Sequence, residues 1–260
     1  MIKTKKLNFK YDKIKILKEI SCEISKGDFV GIIGPNGAGK STFVKCLSGF
    51  LKPNAGKIFI DNEAIEKYDK TKLAKKIAVV VQQPYYEFDF SVTEIVLMGR
   101  FHNLKFLESY GRTDFEITKK TLETLSISHL AERKISELSG GEVQLVMIAL
   151  ALNQNTDVLL FDEPASHLDI HHQINIFTIL KKMNKQQGKT ILAVSHNINL
   201  TAEYCDKIML MSDGQIVEFG TVENVLHSEN LSKTFQIPIK TTRNPFTNKP
   251  GIIYNYKQDA

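Results

Sequence analysis

Gly34-Pro-Asn-Gly-Ala-Gly-Lys-Ser41 lies between an apolar run, Phe29 to Ile33, and a stretch with helical spacing, Lys40 to Leu51. The segment fits G-x-x-x-x-G-K-[ST], and a strand before it with a helix after it is the setting a phosphate loop requires. Its glycines let backbone N–H groups converge on phosphate oxygens, and the following helix adds its positive N-terminus. Lys40 then reaches the β- and γ-phosphates, while Ser41 offers a hydroxyl to Mg²⁺. Gly34, Pro35, Asn36, Gly37, Ala38, Gly39, Lys40, Ser41 and Thr42 are therefore the expected cradle for a nucleotide's phosphates.

Outward from the loop, strands and helices alternate. Lys5 to Phe9, Ile20 to Ile24 and Lys57 to Ile60 read as short strands between turn signals and predict a β-rich layer. Ala78 to Val81 predicts a buried strand and Ser91 to Gly99 a helix. Thr113 to Leu125 carries helical spacing, with Thr113 and Glu116 placed as a capping box. Val158 to Phe161 and Thr190 to Val194 have the pattern of parallel strands covered on both faces, and Ile170 to Gln187 between them predicts a helix stopped by Gly188. Lys207 to Met211 and Gln215 to Phe219 predict a hairpin around Asp213 and Gly214. One unit over residues 1–260 is expected, with a helical insert over about 88–155 and a tail over about 221–260.

Two further segments carry chemistry. Val158-Leu-Leu-Phe-Asp-Glu163 is an apolar strand delivering two acids at its carboxyl end, where open parallel sheets bind ligands. Asp162 is expected on Mg²⁺, directly or through water, and Glu163 on the water that attacks the γ-phosphate. Leu138-Ser-Gly-Gly-Glu142 precedes the apolar stretch Val143 to Leu152, making a second glycine-rich helix start able to receive an anion.

With these three elements in order, the chain resembles ABC transporter nucleotide-binding subunits over essentially its whole length. That resemblance implies an α/β fold: a P-loop NTPase cassette with a central, mostly parallel sheet, an antiparallel β subdomain and a helical insert. It implies that Ser139, Gly140 and Gly141 complete the ATP site of an opposing subunit, so that two cassettes sandwich two ATP molecules head to tail. By the same resemblance Gln82 is a glutamine that senses Mg²⁺ and the attacking water, and His196 a switch histidine on the γ-phosphate. Tyr11 resembles the aromatic that stacks on adenine, and Asp169 the acid that follows the catalytic strand.

Ser91-Val-Thr-Glu-Ile-Val-Leu-Met-Gly-Arg100, Ser166-His-Leu-Asp-Ile-His-His-Gln173, Ser195-His-Asn-Ile-Asn-Leu200 and the tail Asn244 to Pro250 resemble the subclass that powers uptake of iron-siderophores, haem and cobalamin. A metal or oxyanion importer is the alternative. The chain departs from the common pattern at Leu145 and Leu150, where many relatives carry arginine. Expected partners are a second ATPase subunit, with a homodimer as the expected pairing, two membrane-spanning permeases, and indirectly an extracytoplasmic substrate-binding protein. The expected location is peripheral, on the cytoplasmic face of the cell membrane.

Composition agrees with this assignment. The apolar runs fall short of the roughly 20 residues that span a bilayer, no secretory signal is expected from the lysine-dotted start, and Cys22, Cys46 and Cys205 are too scattered for a disulfide framework. A net charge of +5 could suit nucleic acid, but the lysines are dispersed without interleaved aromatics, so no nucleic-acid partner is expected. A soluble ABC ATPase of DNA repair or translation is the rival class. It is disfavoured because the stretch between phosphate loop and Leu138 carries no sustained heptads and because one cassette, not two, is present.

Overall fold

The computed structural model describes residues 1–80, 89–105, 107–166 and 168–255. Strands β1 (Ile2–Tyr11) and β2 (Ile14–Ile24) lead into β3 (Phe29–Ile33) and helix α1 (Lys40–Leu47). Then come β4 (Ala55–Ile60), β5 (Glu63–Ala64), α2 (Lys70–Ala74) and β6 (Ile77–Val80). Helices α3 (Val92–Met98), α4 (Arg112–Thr124) and α5 (Gly140–Asn153) intervene before β7 (Val158–Asp162), α6 (Ile170–Gln187) and β8 (Thr190–Val194). The chain closes with α7 (Ile198–Tyr204), β9 (Lys207–Ser212), β10 (Gln215–Thr221), α8 (Val222–Val225), α9 (Ser228–Phe235), β11 (Ile239–Arg243) and β12 (Pro250–Tyr254).

The central sheet runs β10-β9-β3-β8-β7-β6, all parallel except for β10, which is antiparallel to β9. A second sheet, antiparallel and ordered β2-β1-β4-β5, forms the β subdomain. The period of two along a strand sorts the core. Leu159, Phe161, Ile191 and Ala193 face the helical insert and α6, whereas Leu160, Leu192, Val194 and Met209 face α1 and the antiparallel sheet. At the far edge, Ile208 and Leu210 pack with Ile198, Ile239 and Ile252 in a third cluster built largely from the tail.

Two local expectations change. The first helix stops at Leu47 rather than Leu51, because Gly49 takes a left-handed φ of +74° that ends the helical path. Helix α4 starts at Arg112, so Thr113 and Glu116 form no capping box. Instead Asp114 accepts from Gly111 N (3.1 Å), and Glu116 accepts from Arg112 Nε (2.9 Å). Within the tail, β11 and β12 form their own two-stranded sheet. Leu145 is buried in the cluster between insert and sheet and Leu150 packs against it, which accounts for apolar residues at both positions.

Candidate functional site: an ATP cleft

Sheet order brings the chemistry together. The central strands β3, β8 and β7 are neighbours, so the loop after β3, the acids after β7 and the residue after β8 emerge at one carboxyl edge. Ser195 N donates to Ile32 O (3.0 Å), fixing the level of the last segment against the loop.

The phosphate loop needs glycine at its first position. Gly34 has φ +150°, and a Cβ there would stand 2.0 Å from Met211 O on β9. Lys40, buried at the start of α1, curls back so that its Nζ donates to Gly34 O (2.8 Å) and Pro35 O (2.9 Å). Burial pulls its pKa down, and the carboxylates of Glu163 and Asp162 oppose that shift. Ser41 Oγ donates to Asp162 Oδ1 (2.8 Å). Asp162 is itself buried, which raises its carboxyl pKa, and the charge of Glu163 adds to the effect while the Ser41 hydrogen bond works against it.

The chain turns sharply after β7. Glu163 takes a left-handed φ of +56°, costly for a residue with a Cβ. Ser166 holds the turn, its N and Oγ both donating to Glu163 O at 3.2 and 3.0 Å. The strained turn brings Glu163 Oε1 to 2.6 Å from His196 Nε2. His196 is in turn set by Asn197, which caps α7 by accepting from Leu200 N (2.9 Å) and reaches Gln173 on α6 (3.2 Å). Glu163, Lys40 and Ser41 share a cleft of about 240 Å³ with Ile16 of β2. A neighbouring cavity of about 730 Å³ is lined by Glu163, His196, Asn197, Gln173, Phe177 and Tyr254, among others.

The remaining expected residues lie elsewhere. Tyr11 ends β1, half exposed and edge-on to Phe9 with ring centroids 4.8 Å apart, and does not line the cleft. Ser139 caps α5 in a capping box with Glu142 and is exposed, as is Gly140. Asp169 caps α6, accepting from His172 N (2.9 Å) and meeting His172 Nδ1 (2.8 Å). The His172 ring lies against Gly141, where an added Cβ would come within 2.9 Å of it, so Asp169 and the start of α5 meet within one chain. Gln82 lies outside the described residues. Sequence reasoning missed Ile16, Ser166, Gln173 and Asn197. Only Asn197 carried a local signal, an Asn directly before a helix.

The model of the family described as ABC transporter matches residues 17–166. The chain belongs to the ABC transporter family. This ABC ATP-binding subunit is similar to the iron(3+)-hydroxamate import ATP-binding protein FhuC of Bacillus subtilis (strain 168), with 36% identity over 252 residues, covering 97% of this chain and 94% of that one. Its fold matches an ABC transporter of metal-chelate type in an inward-facing conformation, with TM-score 0.87, 29% identity, and coverage of 98% of this chain and 97% of the other. It also matches the dimeric, post-hydrolysis ATP-binding cassette MJ0796 bound to ADP and Pi, with TM-score 0.76, 29% identity, and coverage of 85% and 99%. A nucleotide-hydrolysing cassette fold accounts for both the mostly parallel sheet and the antiparallel subdomain. Among the described residues no helix is long and apolar enough to cross a membrane.

Proposed function

We propose that this chain is the ATP-hydrolysing subunit of an importer for iron-siderophore, haem or cobalamin type substrates, working through separate permease subunits. The observation that carries the catalytic part is the contact between Glu163 and His196 at 2.6 Å, beside the loop that holds Lys40. In this reading Glu163 takes the proton of the attacking water as general base. His196 orients Glu163 and hydrogen-bonds the γ-phosphate, and Lys40 leaves its loop carbonyls to pair with the β- and γ-phosphates. The lowered pKa of Lys40 reflects a buried ammonium that phosphate charge would stabilise.

The residues present fit Mg²⁺. Ser41 Oγ and Asp162 Oδ1, 2.8 Å apart, offer hard oxygen donors, and the carboxylate that burial disfavours would gain from a cation beside it. Ser41 and Asp162, with Gln82, would hold the ion, which supplies charge neutralisation on the phosphates.

A cleft of about 240 Å³ is smaller than the usual enclosed ligand pocket and suits a polyphosphate tail, leaving adenine on the surface, where Tyr11 offers a ring to stack on. Ser139, Gly140 and Gly141 line neither this cleft nor its neighbour. Two copies facing head to tail would bring those residues, with Asp169, to the partner's ATP and so complete both sites. The substrate class follows the likeness to the hydroxamate importer subunit and the metal-chelate transporter. An extracytoplasmic binding protein would deliver that substrate to the permeases, and the chain would sit on the cytoplasmic membrane face.

Glu163→Gln keeps the shape and removes the base. Steady-state ATP hydrolysis is expected to fall by about a hundredfold or more while ATP affinity is retained. Turnover near the parental rate would show that Glu163 is not the base.

A further inference from the structure

The β11–β12 hairpin is fastened to α7, the helix that starts next but one to His196. Asn199 grips it reciprocally: Oδ1 accepts from Ile252 N (2.7 Å) and Nδ2 donates to Ile252 O (3.2 Å). One turn on, Glu203 Oε2 accepts from Thr247 Oγ1 (2.7 Å) and Asn244 Nδ2 (3.3 Å). Lys249 donates to the backbone carbonyl of Glu203. Beneath these polar grips, Ile239 and Ile252 bury against Ile198 and Ala202, in the same cluster as Ile33, the last residue of β3 before the phosphate loop. The end of the hairpin reaches the site itself, where Tyr254 lines the cavity shared by Glu163 and His196.

Helix α7 spans 7 residues. A helix that short does not hold itself in water, so its position is set by what packs on it. Its first turn is continuous with His196 through Asn197, whose Oδ1 accepts from Leu200 N and whose backbone O accepts from Thr201 Oγ1 (2.9 Å). A tail that only sealed apolar surface would need Ile239 and Ile252; the additional polar grips fix where α7 lies along the hairpin.

We propose that the β11–β12 hairpin positions the switch histidine: Asn199 and Glu203 hold α7, and through it His196, in register with Glu163. Asn199, which also borders the cavity shared by Glu163 and His196, is thus a positioning residue that acts through α7 on His196. The inference rests on the reading of Glu163 and His196 as the catalytic pair.

The test is a double-mutant cycle on the full chain. Phosphate release is followed over a range of ATP concentrations in excess of the protein, with long time courses for the slow variants, and is normalised to ATP bound per chain. Asn199→Ala is expected to lower kcat about tenfold with KM for ATP within about twofold, the cost of a displaced catalytic group. Asn199→Asp keeps the acceptor for Ile252 N and is expected to lose less. Added to His196→Ala, Asn199→Ala is expected to cost nothing further, because residues acting as a unit are not additive. The same loss in both backgrounds, or an unchanged kcat for Asn199→Ala, overturns the positioning role. A His196→Ala chain turning over at the parental rate overturns the catalytic reading instead, and the positioning role falls with it.

Discussion

Asp162 shows how one residue is held in an unfavourable state for later use. Its carboxyl is buried, and burial, together with the charge of Glu163, raises its pKa above the ordinary carboxylate value; only the Ser41 hydroxyl and the more distant lysines relieve it. A raised pKa means that the nucleotide-free fold binds this proton more tightly than the unfolded chain does. The associated stability is present at low pH and is lost as the pH rises through the raised value. Asp162→Asn removes the charge while keeping an oxygen for Ser41. Urea unfolding without nucleotide should therefore show the variant gaining on the parent as pH is raised from about 4, the ordinary carboxylate value, and levelling off once the pH has passed the raised value of the folded state. A constant gap across that range would mean that burial of the charge carries no such penalty. Glu163 is a second residue held at a cost, in its left-handed turn.

At the scale of elements, the helical insert depends on one buried amide. Asn153, at the end of α5, is fully buried; its Nδ2 donates to Val96 O (2.8 Å) and Thr118 Oγ1 (2.8 Å), and its Oδ1 accepts from Thr121 Oγ1 (3.2 Å). That side chain therefore ties α3, α4 and α5 together. Asn153→Ala leaves the Val96 carbonyl and the Thr118 hydroxyl with a lost partner in a dry interior, and is expected to cost about 3 kcal/mol in urea unfolding. A loss below about 0.5 kcal/mol, the level of an ordinary surface change, would show that water replaces the amide. Nothing in the local sequence marks Asn153. An asparagine near a helix end suggests an exposed cap, and only the packing of three helices makes it a hub.

At the scale of the molecule, the exposed start of α5 is the feature the single chain leaves unused. Gly140 has no atom within 4 Å of where a Cβ would stand, and its φ is not in the left-handed region, so the chain's own packing does not require glycine there. Gly140→Asp should leave folding intact, because an acid in the first helical turn also suits the helix dipole. In a Glu163→Gln background with ATP, the chain otherwise expected to sediment as a dimer should then remain a monomer. A dimer that persists despite the new side chain and charge would place the pairing surface elsewhere.

What the sequence by itself determined was local chemistry: a glycine loop between strand and helix, two acids at the end of an apolar strand, and a glycine-rich start to an apolar helix. These are legible because dihedral freedom, apolar periodicity and capping are set within a few neighbouring residues. Resemblance over the whole chain then assigned the family. Only the tertiary structure decided that β7 and β8 lie beside β3, bringing Lys40, Glu163 and His196 to one edge from distant parts of the chain. It alone decided that His172 rests on Gly141, that Asn153 joins three helices, and that the tail grips α7 through Asn199 and Glu203. Those contacts depend on which faces bury one another, and that is fixed by packing of the whole chain rather than by propensity in any part of it.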